Sequence, residues 1–232
     1  VYIDLNCGMN RTGILPGPDA RVIYEAICNA PGLKAGGLHA YDGHNHESDL
    51  AKRTAKCESD FEPVLEFRKE LEEAGLDVPN LVASGTPTFP IHSRHADRQC
   101  SPGTTVLWDF GYNDGLPDLS FEYAAVLLTR VCSKPGANRV CLDLGHKAVA
   151  ADKPQPRVRL FEMESAIPVV HSEEHLTVET ENAGNLSVGD CCYGVPVHIC
   201  PTVALHDKAW VVREGRAGQS WEIAARRRSL GI

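Results

Sequence analysis

The sequence lacks the features that would fix a class at once. No apolar run approaches the ~20 residues of a membrane-spanning helix, so no helical membrane anchor is expected. The nine cysteines include no CxxC pair and trace no disulfide framework; a reducing cytoplasm with mostly inert, buried thiols is the expectation. Positive charge is in deficit. A formal net charge of −8 argues against non-specific nucleic-acid binding, and the cluster Arg226-Arg227-Arg228 is too short to reverse it and reads as a solvated end. No internal repeat or low-complexity tract occurs. The chain opens on Val rather than Met, with no visible signal peptide, in residues that already read as a strand.

What is present suits a globular protein. The 232 residues, 43% of them hydrophobic, suffice for one or two cores. Fifteen Pro and twenty Gly indicate many turns. In the first half, short apolar runs alternate with helical patterns. Val1–Leu5 reads as a strand, and 18–30 as a helix with Val22, Ile23, Ala26 and Ile27 on its apolar face. A strand is expected over 33–41, a long helix over 49–74 with Gly75 as C-cap, and further strands over 80–84 and 105–109. Such alternation indicates parallel β/α units. After about residue 113 short β-rich runs dominate: 127–131, 139–144, 158–162, 176–179, 195–199 and 210–213. The fold class expected is therefore α/β over 1–112 followed by an all-β part over 113–232.

Several constellations could carry chemistry. His198-Ile-Cys200 lies between Pro196 and Pro201. On a strand, residues i and i+2 share a face about 6.5–7 Å apart. An imidazole and a thiolate so placed can share a metal ion, zinc above all, with positions left for water or substrate; chance occurrence in an ordinary strand is the alternative. Ser84-Gly85-Thr86 and Gly103-Thr104 sit in small-residue turns whose amides could cradle a phosphate, or could be turns and nothing more. Arg11 follows a strand end and could be an ordinary surface Arg. His39, His44 and His46 match no zinc spacing; metal binding and a polar loop over a site both stay open. Glu173 and His175 could do acid/base work or cap a solvated strand end. Asp143-Leu-Gly145-His146-Lys147 reads equally as a charged turn.

Taken in order, these motifs resemble one family: fold-type III pyridoxal-phosphate (PLP) enzymes of the D-serine dehydratase / D-threonine aldolase branch, related to alanine racemase. The segment Tyr2–Gly13 resembles the barrel strand whose Arg reaches the cofactor's phenolic oxygen, and Gly37–Tyr41 the next strand, whose side chain lies against the pyridine ring. Ser84-Gly85-Thr86 and Pro102-Gly103-Thr104 resemble the two phosphate turns. Asp143–Ala150, Ser172–His175 and Val197–Thr202 resemble the C-terminal domain, and His-x-Cys separates this branch from alanine racemase itself. The resemblance implies the C-terminal part of a PLP-binding, TIM-type β/α barrel over 1–112, then a D-serine-dehydratase-like β domain with a metal site.

The same resemblance implies PLP held by Arg11, Tyr41, Ser84, Gly85, Thr86, Gly103 and Thr104, Zn²⁺ or Mn²⁺ on His198 and Cys200, and Glu173 and His175 as catalytic groups. It also implies a small D-amino acid substrate, a cytoplasmic homodimer at full length, and neither nucleic acid nor membrane as partner. Two departures stand out. None of the eight lysines lies in the family's Lys-Thr-His context, so the cofactor's lysine is expected upstream of Val1. Ser101 stands where alanine racemases place an Arg against the pyridine nitrogen, which speaks for a lyase rather than a racemase. A dehydratase eliminating water and ammonia is the leading expectation, since Cys as second ligand resembles that subgroup. A retro-aldol enzyme giving glycine and an aldehyde is the alternative. A non-catalytic relic without the lysine, or a metallohydrolase with a third protein ligand near His198, represents the other classes.

Overall fold

A computed structural model of the chain describes residues 1–227; Arg228 of the C-terminal basic cluster lies outside the described residues. The chain forms two compact units. The first comprises Val1–Thr105 with Gly115–Ser120, and the second Val106–Asp114 with Phe121 onward.

The first unit is a parallel sheet with helical crossovers. Strands β1 (Tyr2–Leu5), β2 (Gly37–Ala40), β3 (Leu81–Ala83) and β4 (Gln99–Cys100) lie side by side in chain order. All three pairings are parallel. Helices α1 (Pro18–Asn29), α2 (Leu50–Glu73) and the single turn α3 (Phe89–His92) connect them. In α2, Asp49 caps the start by accepting from the Lys52 amide at 2.9 Å, and Gly75, at φ +80°, ends it. Phe61, Val64, Phe67 and Leu71 recur at helical spacing and fill the core against Ile3, Leu5, Leu38 and Leu81.

Two expectations for this unit are corrected. The buried stripe of α1 is Ala20 and Tyr24, whereas Val22 and Ile23 are exposed. Tyr24 wins the inward place because its ring fills the core while its hydroxyl donates to the Asp77 carbonyl at 2.7 Å. Nor is there a strand over 105–109. The fourth strand is the two-residue Gln99–Cys100, too short to leave a periodic signal, while Thr104–Val106 forms a 3₁₀ turn.

The second unit holds a six-stranded antiparallel sheet. Its strands are β5 (Leu127–Gly136), β6 (Arg139–Leu142), β7 (Val158–Leu160), β8 (Ile167–His171), β9 (Leu176–Glu179) and β10 (Cys191–Pro196), in the order β7-β10-β5-β6-β9-β8. Alternate residues of β5, β6 and β9 point inward, so Leu127, Val131, Val140, Leu142, Leu176 and Val178 share one core. A hairpin of β11 (Lys208–Arg213) and β12 (Arg216–Glu222) follows. Its two turn residues, Glu214 and Gly215, both have positive φ, the backbone that suits a two-residue hairpin. Short helices α4 (Phe110–Gly115) and α5 (Ile199–Val203) complete the described elements used below.

The strand expected over 195–199 is a further correction. β10 stops at Pro196, His198 caps α5, and Cys200 lies in its first turn. Pro201 is tolerated there because first-turn amides have no intrahelical acceptor to lose.

Candidate functional sites

In the first unit, loops at the C-terminal ends of the parallel strands gather the residues expected to hold a cofactor. After β1, Asn6 folds the loop onto itself: its Oδ1 accepts from the Gly8 and Asn10 amides at 3.1 and 3.0 Å. Gly13 closes the loop against β1, where any Cβ would meet Asp4 and Leu5 backbone at 2.9 Å. Arg11 emerges from this loop, its guanidinium 4.6 Å from the centroid of the Tyr41 ring. On other sides the ring is hemmed by glycines. A Cβ on Gly43 would strike the Tyr41 hydroxyl at 2.3 Å, and one on Gly85 would come to 3.2 Å from Cε2. Arg11, Tyr41 and the Gly85 turn are thus brought together.

The two small-residue turns are also adjacent. The Ser101 amide donates to the Ala83 carbonyl at 3.0 Å, and the Thr104 amide to Thr86 Oγ1 at 3.1 Å. This differs from a cradle of four free amides. Thr104 is engaged by Thr86, and the Gly85 amide donates to Asp42 Oδ1 at 2.8 Å and to Thr88 Oγ1 at 3.1 Å. Of the four amides expected to line the cradle, those of Gly85 and Thr104 are thus committed to side chains within the turns. Ser84 is fully buried at φ +79°, a backbone that costs a non-glycine residue about 1–3 kcal/mol, and its side chain bears on the Cys100 thiol, lowering it against the larger effect of burial. A Cβ on Gly103 would meet nothing within 4 Å. The strained backbone at Ser84 and the open space at Gly103 fit a phosphate group.

Beneath the first turn lies a network that pattern reading missed. Asp42 Oδ1 accepts from Gly85 and, at 2.6 Å, from Thr88 Oγ1; Oδ2 meets His92 Nε2 at 2.9 Å and Cys57 Sγ at 3.4 Å. Asp42, Cys57, Thr88 and His92 are all at most 1% exposed. Burial pushes the Asp42 carboxyl up, but hydrogen bonds from His92 and Thr88 outweigh it and hold it below the usual carboxylate range. Burial, with Asp42 adding to it, pushes the Cys57 thiol up. Asp42, Cys57 and His92 converge closely enough to hold a metal ion. However, Arg98 Nη1 lies 3.3 Å from His92 Nδ1, and a guanidinium can only donate. Nδ1 therefore accepts, Nε2 carries the proton given to Asp42, and the imidazole has no lone pair left for a cation. The cluster is a closed hydrogen-bond network that fixes the Gly85 turn. The only sequence signal was a lone Asp after β2, in the run whose histidines drew attention. Those histidines are dispersed: His39 Nδ1 pairs with Asp4 at 2.7 Å and His44 Nε2 with Asp60 at 2.8 Å.

In the second unit, His198 and Cys200 are brought together by the helix start rather than by strand alternation. The contact with Cys200, against the opposing effect of burial and with Asp152 adding to it, raises the His198 pKa above its ordinary value. Asp152 Oδ2 holds His198 Nδ1 at 2.6 Å. That carboxylate occupies the far ring nitrogen and fixes the tautomer, so the ring's lone pair falls on Nε2. It acts as a partner of the imidazole and not as a third ligand.

The backbone around the pair is pinned. Asp109 is 2% exposed; its Oδ2 accepts from the Ile199 amide at 3.0 Å and its Oδ1 from Tyr112 at 2.9 Å. Burial raises its carboxyl despite these bonds. Thr202 Oγ1 donates to the His198 carbonyl at 2.7 Å and accepts from the Ala150 amide at 3.2 Å, tying α5 to the loop that carries Asp152. Gly111 packs on the Val197 carbonyl, where a Cβ would approach to 2.3 Å. Imidazole and thiol with one oriented nitrogen are donors that fit zinc. Glu173 and His175 lie exposed in the turn between β8 and β9. The Glu173 carbonyl accepts from the Lys147 amide at 3.1 Å, and Lys147 pairs with Glu174 at 2.6 Å. Cys200 and Asp152 are side chains in contact with His198.

Comparison with known proteins gives both units relatives. A family profile described as "Alanine racemase, N-terminal domain" matches residues 1–108. Another, described as "Putative serine dehydratase domain", matches 124–212. The chain is 27% identical over 231 residues to a D-threonine aldolase of Arthrobacter sp, covering 97% of this chain and 60% of that protein. It is 28% identical over 235 residues to a 3-hydroxy-D-aspartate aldolase of Paracoccus denitrificans (strain Pd 1222), with the same coverage. The crystal structure of D-threonine aldolase from Filomicrobium marinum superposes with a TM-score of 0.89 at 26% identity, over 97% of this chain and 63% of that one. The chain thus spans about three fifths of the length of the curated relatives it matches. Among the described residues, no helix is long and apolar enough to cross a membrane.

Proposed function

Because the chain belongs to the alanine racemase-like family of fold-type III PLP enzymes, we propose that it is part of a PLP- and metal-dependent lyase acting on D-3-hydroxy amino acids. The observation that carries this reading is the pair His198 and Cys200, with Asp152 orienting the imidazole at 2.6 Å. In the proposal, residues 1–112 are the PLP-binding part and 113–232 the metal-binding part of each subunit of a homodimer.

When bound, PLP supplies the electron sink for breaking a bond at the substrate's Cα, and a divalent zinc or manganese ion supplies the Lewis acid for its hydroxyl. The protein's part is to hold and orient. Ser84, Thr86 and Gly103 would hold the phosphate, with Gly85 and Thr104 shaping the two turns. Tyr41 would lie against the cofactor's ring, with the Arg11 positive charge beside it. His198 Nε2 and Cys200 Sγ hold the ion, Asp152 keeps the proton on Nδ1, and Asp109 keeps the α5 amide end in place. Proton exchange falls to Glu173 or His175, both open to solvent.

The thiol ligand favours water elimination followed by ammonia release, a D-serine-dehydratase-like reaction. The similarity to two aldolases supports the second reading, cleavage to glycine and an aldehyde. Product analysis with the full-length protein separates them: a 2-oxo acid with ammonia in the first case, glycine in the second. Activity is expected to vanish on chelation and return with Zn²⁺ or Mn²⁺. His198→Ala and Cys200→Ala are expected to abolish turnover while PLP stays bound. Full turnover after chelation, with metal loss verified, would sink the metal-dependent reading.

A further inference from the structure

Outside both sites, the β-rich unit carries a pair of thiols with no assigned use. Cys132 is on β5 and Cys141 on β6, which are antiparallel neighbours. Val131 and Leu142 pair in register and point into the core. The register then shifts, so that Ser133 rather than Cys132 is paired with Cys141. Cys132 is the extra residue of this irregularity, and it turns outward beside Cys141. The two Sγ atoms are 3.6 Å apart, and Cys132 Sγ also donates to the Cys141 carbonyl at 3.2 Å. Cys132 is exposed and Cys141 half-buried. A disulfide needs the sulfurs about 2.05 Å apart, and these already lie in van der Waals contact on adjacent strands. The adjacent Cys191 and Cys192 offer no such pair, because strand alternation leaves one exposed and the other buried.

We propose that Cys132 and Cys141 form a modification site: a surface dithiol that low-molecular-weight disulfides oxidise to a cross-strand disulfide. One cysteine thiolate attacks the small disulfide and releases one small thiol, leaving a mixed disulfide. The other cysteine attacks the protein sulfur of that bond and expels the second small thiol. Two protein thiols are oxidised, one small disulfide is reduced, and both cysteine protons end on the released thiols or solvent. Partial burial of the sulfur and the neighbouring Cys141 push the Cys132 thiol up to about 11, which keeps it mostly protonated near neutral pH. The bond would pin β5 to β6 in the middle of the six-stranded sheet.

The test uses the full-length protein treated with oxidised glutathione, alkylated and digested with trypsin. Cleavage after Arg139 places the two cysteines in separate peptides, 131–139 and 140–147. The expected product is these two peptides joined, lighter by two hydrogens than their sum and separated by reductant. Cys132→Ser, an exposed and conservative change, is expected to leave Cys141 carrying one glutathione instead. Recovery of both cysteines free, each as its own mixed disulfide, or either joined to a different cysteine would overturn the proposal.

Discussion

The molecule holds two clusters of histidine, cysteine and aspartate, built for opposite ends. Asp42, Cys57 and His92 are at most 1% exposed, and every donor among them has an acceptor. His198, Cys200 and Asp152 use similar side chains, yet Cys200 is exposed and His198 and Asp152 are within reach of solvent. In the first cluster Arg98 occupies the outer imidazole nitrogen as a donor, which places the imidazole proton on the inner nitrogen. In the second a carboxylate occupies that position as an acceptor, so the lone pair falls on the other nitrogen. Donor identity alone does not make a metal site. The group behind the histidine decides which way its lone pair points.

That contrast breaks most visibly at Asp42. Asp42→Ala strands buried donors from Gly85, Thr88 and His92 and is expected to destabilise the full-length protein by about 3–5 kcal/mol, with weakened PLP retention. Urea unfolding followed alongside cofactor absorbance checks this; an unchanged midpoint would show that the network does not hold the turn. The other cluster is expected to respond in ligand affinity. Asp152→Asn should lower zinc affinity about 10–100-fold, read by competition with a chromophoric chelator, at an unchanged unfolding midpoint. Equal zinc affinity in variant and parent would remove Asp152 from its orienting role.

Acid sharpens the comparison. The Asp42 carboxyl is held below its unfolded value of ~3.9, so its stabilisation is complete above that pH and is lost as pH falls through the lower folded value. Exchange of the Gly85 amide is therefore expected to stay slow down to the usual carboxylate range and to accelerate only beneath it. Acceleration already above that range would mean that another group fails first. The smallest effects test the α1 surface. Tyr24→Phe is expected to cost about 1 kcal/mol through the lost bond to Asp77, and Val22→Ser no more than ~0.5 kcal/mol. Calorimetry on the two variants reads the order, and a reversal would put the apolar face of α1 back at Val22.

The sequence by itself determined the broad layout. Parallel strands alternate with helices as far as Cys100, and short β-runs follow from Leu127, because apolar periodicity is a local property that each segment carries. It also determined which residues were chemically able to bind a metal, since few side chains offer imidazole and thiolate two positions apart. Tertiary structure decided the rest. Gln99–Cys100 is a strand only because β3 lies alongside it. The His198 and Cys200 side chains meet through the first turn of α5, fixed by an Asp109 that is 90 positions away in the chain. Asp42 and His92, 50 residues apart, become one buried network, and Asp152 reaches His198 across 46. Hydrogen bonds of that span depend on how loops pack above the strand ends. No local pattern encodes that packing, so it becomes legible only once the chain has folded.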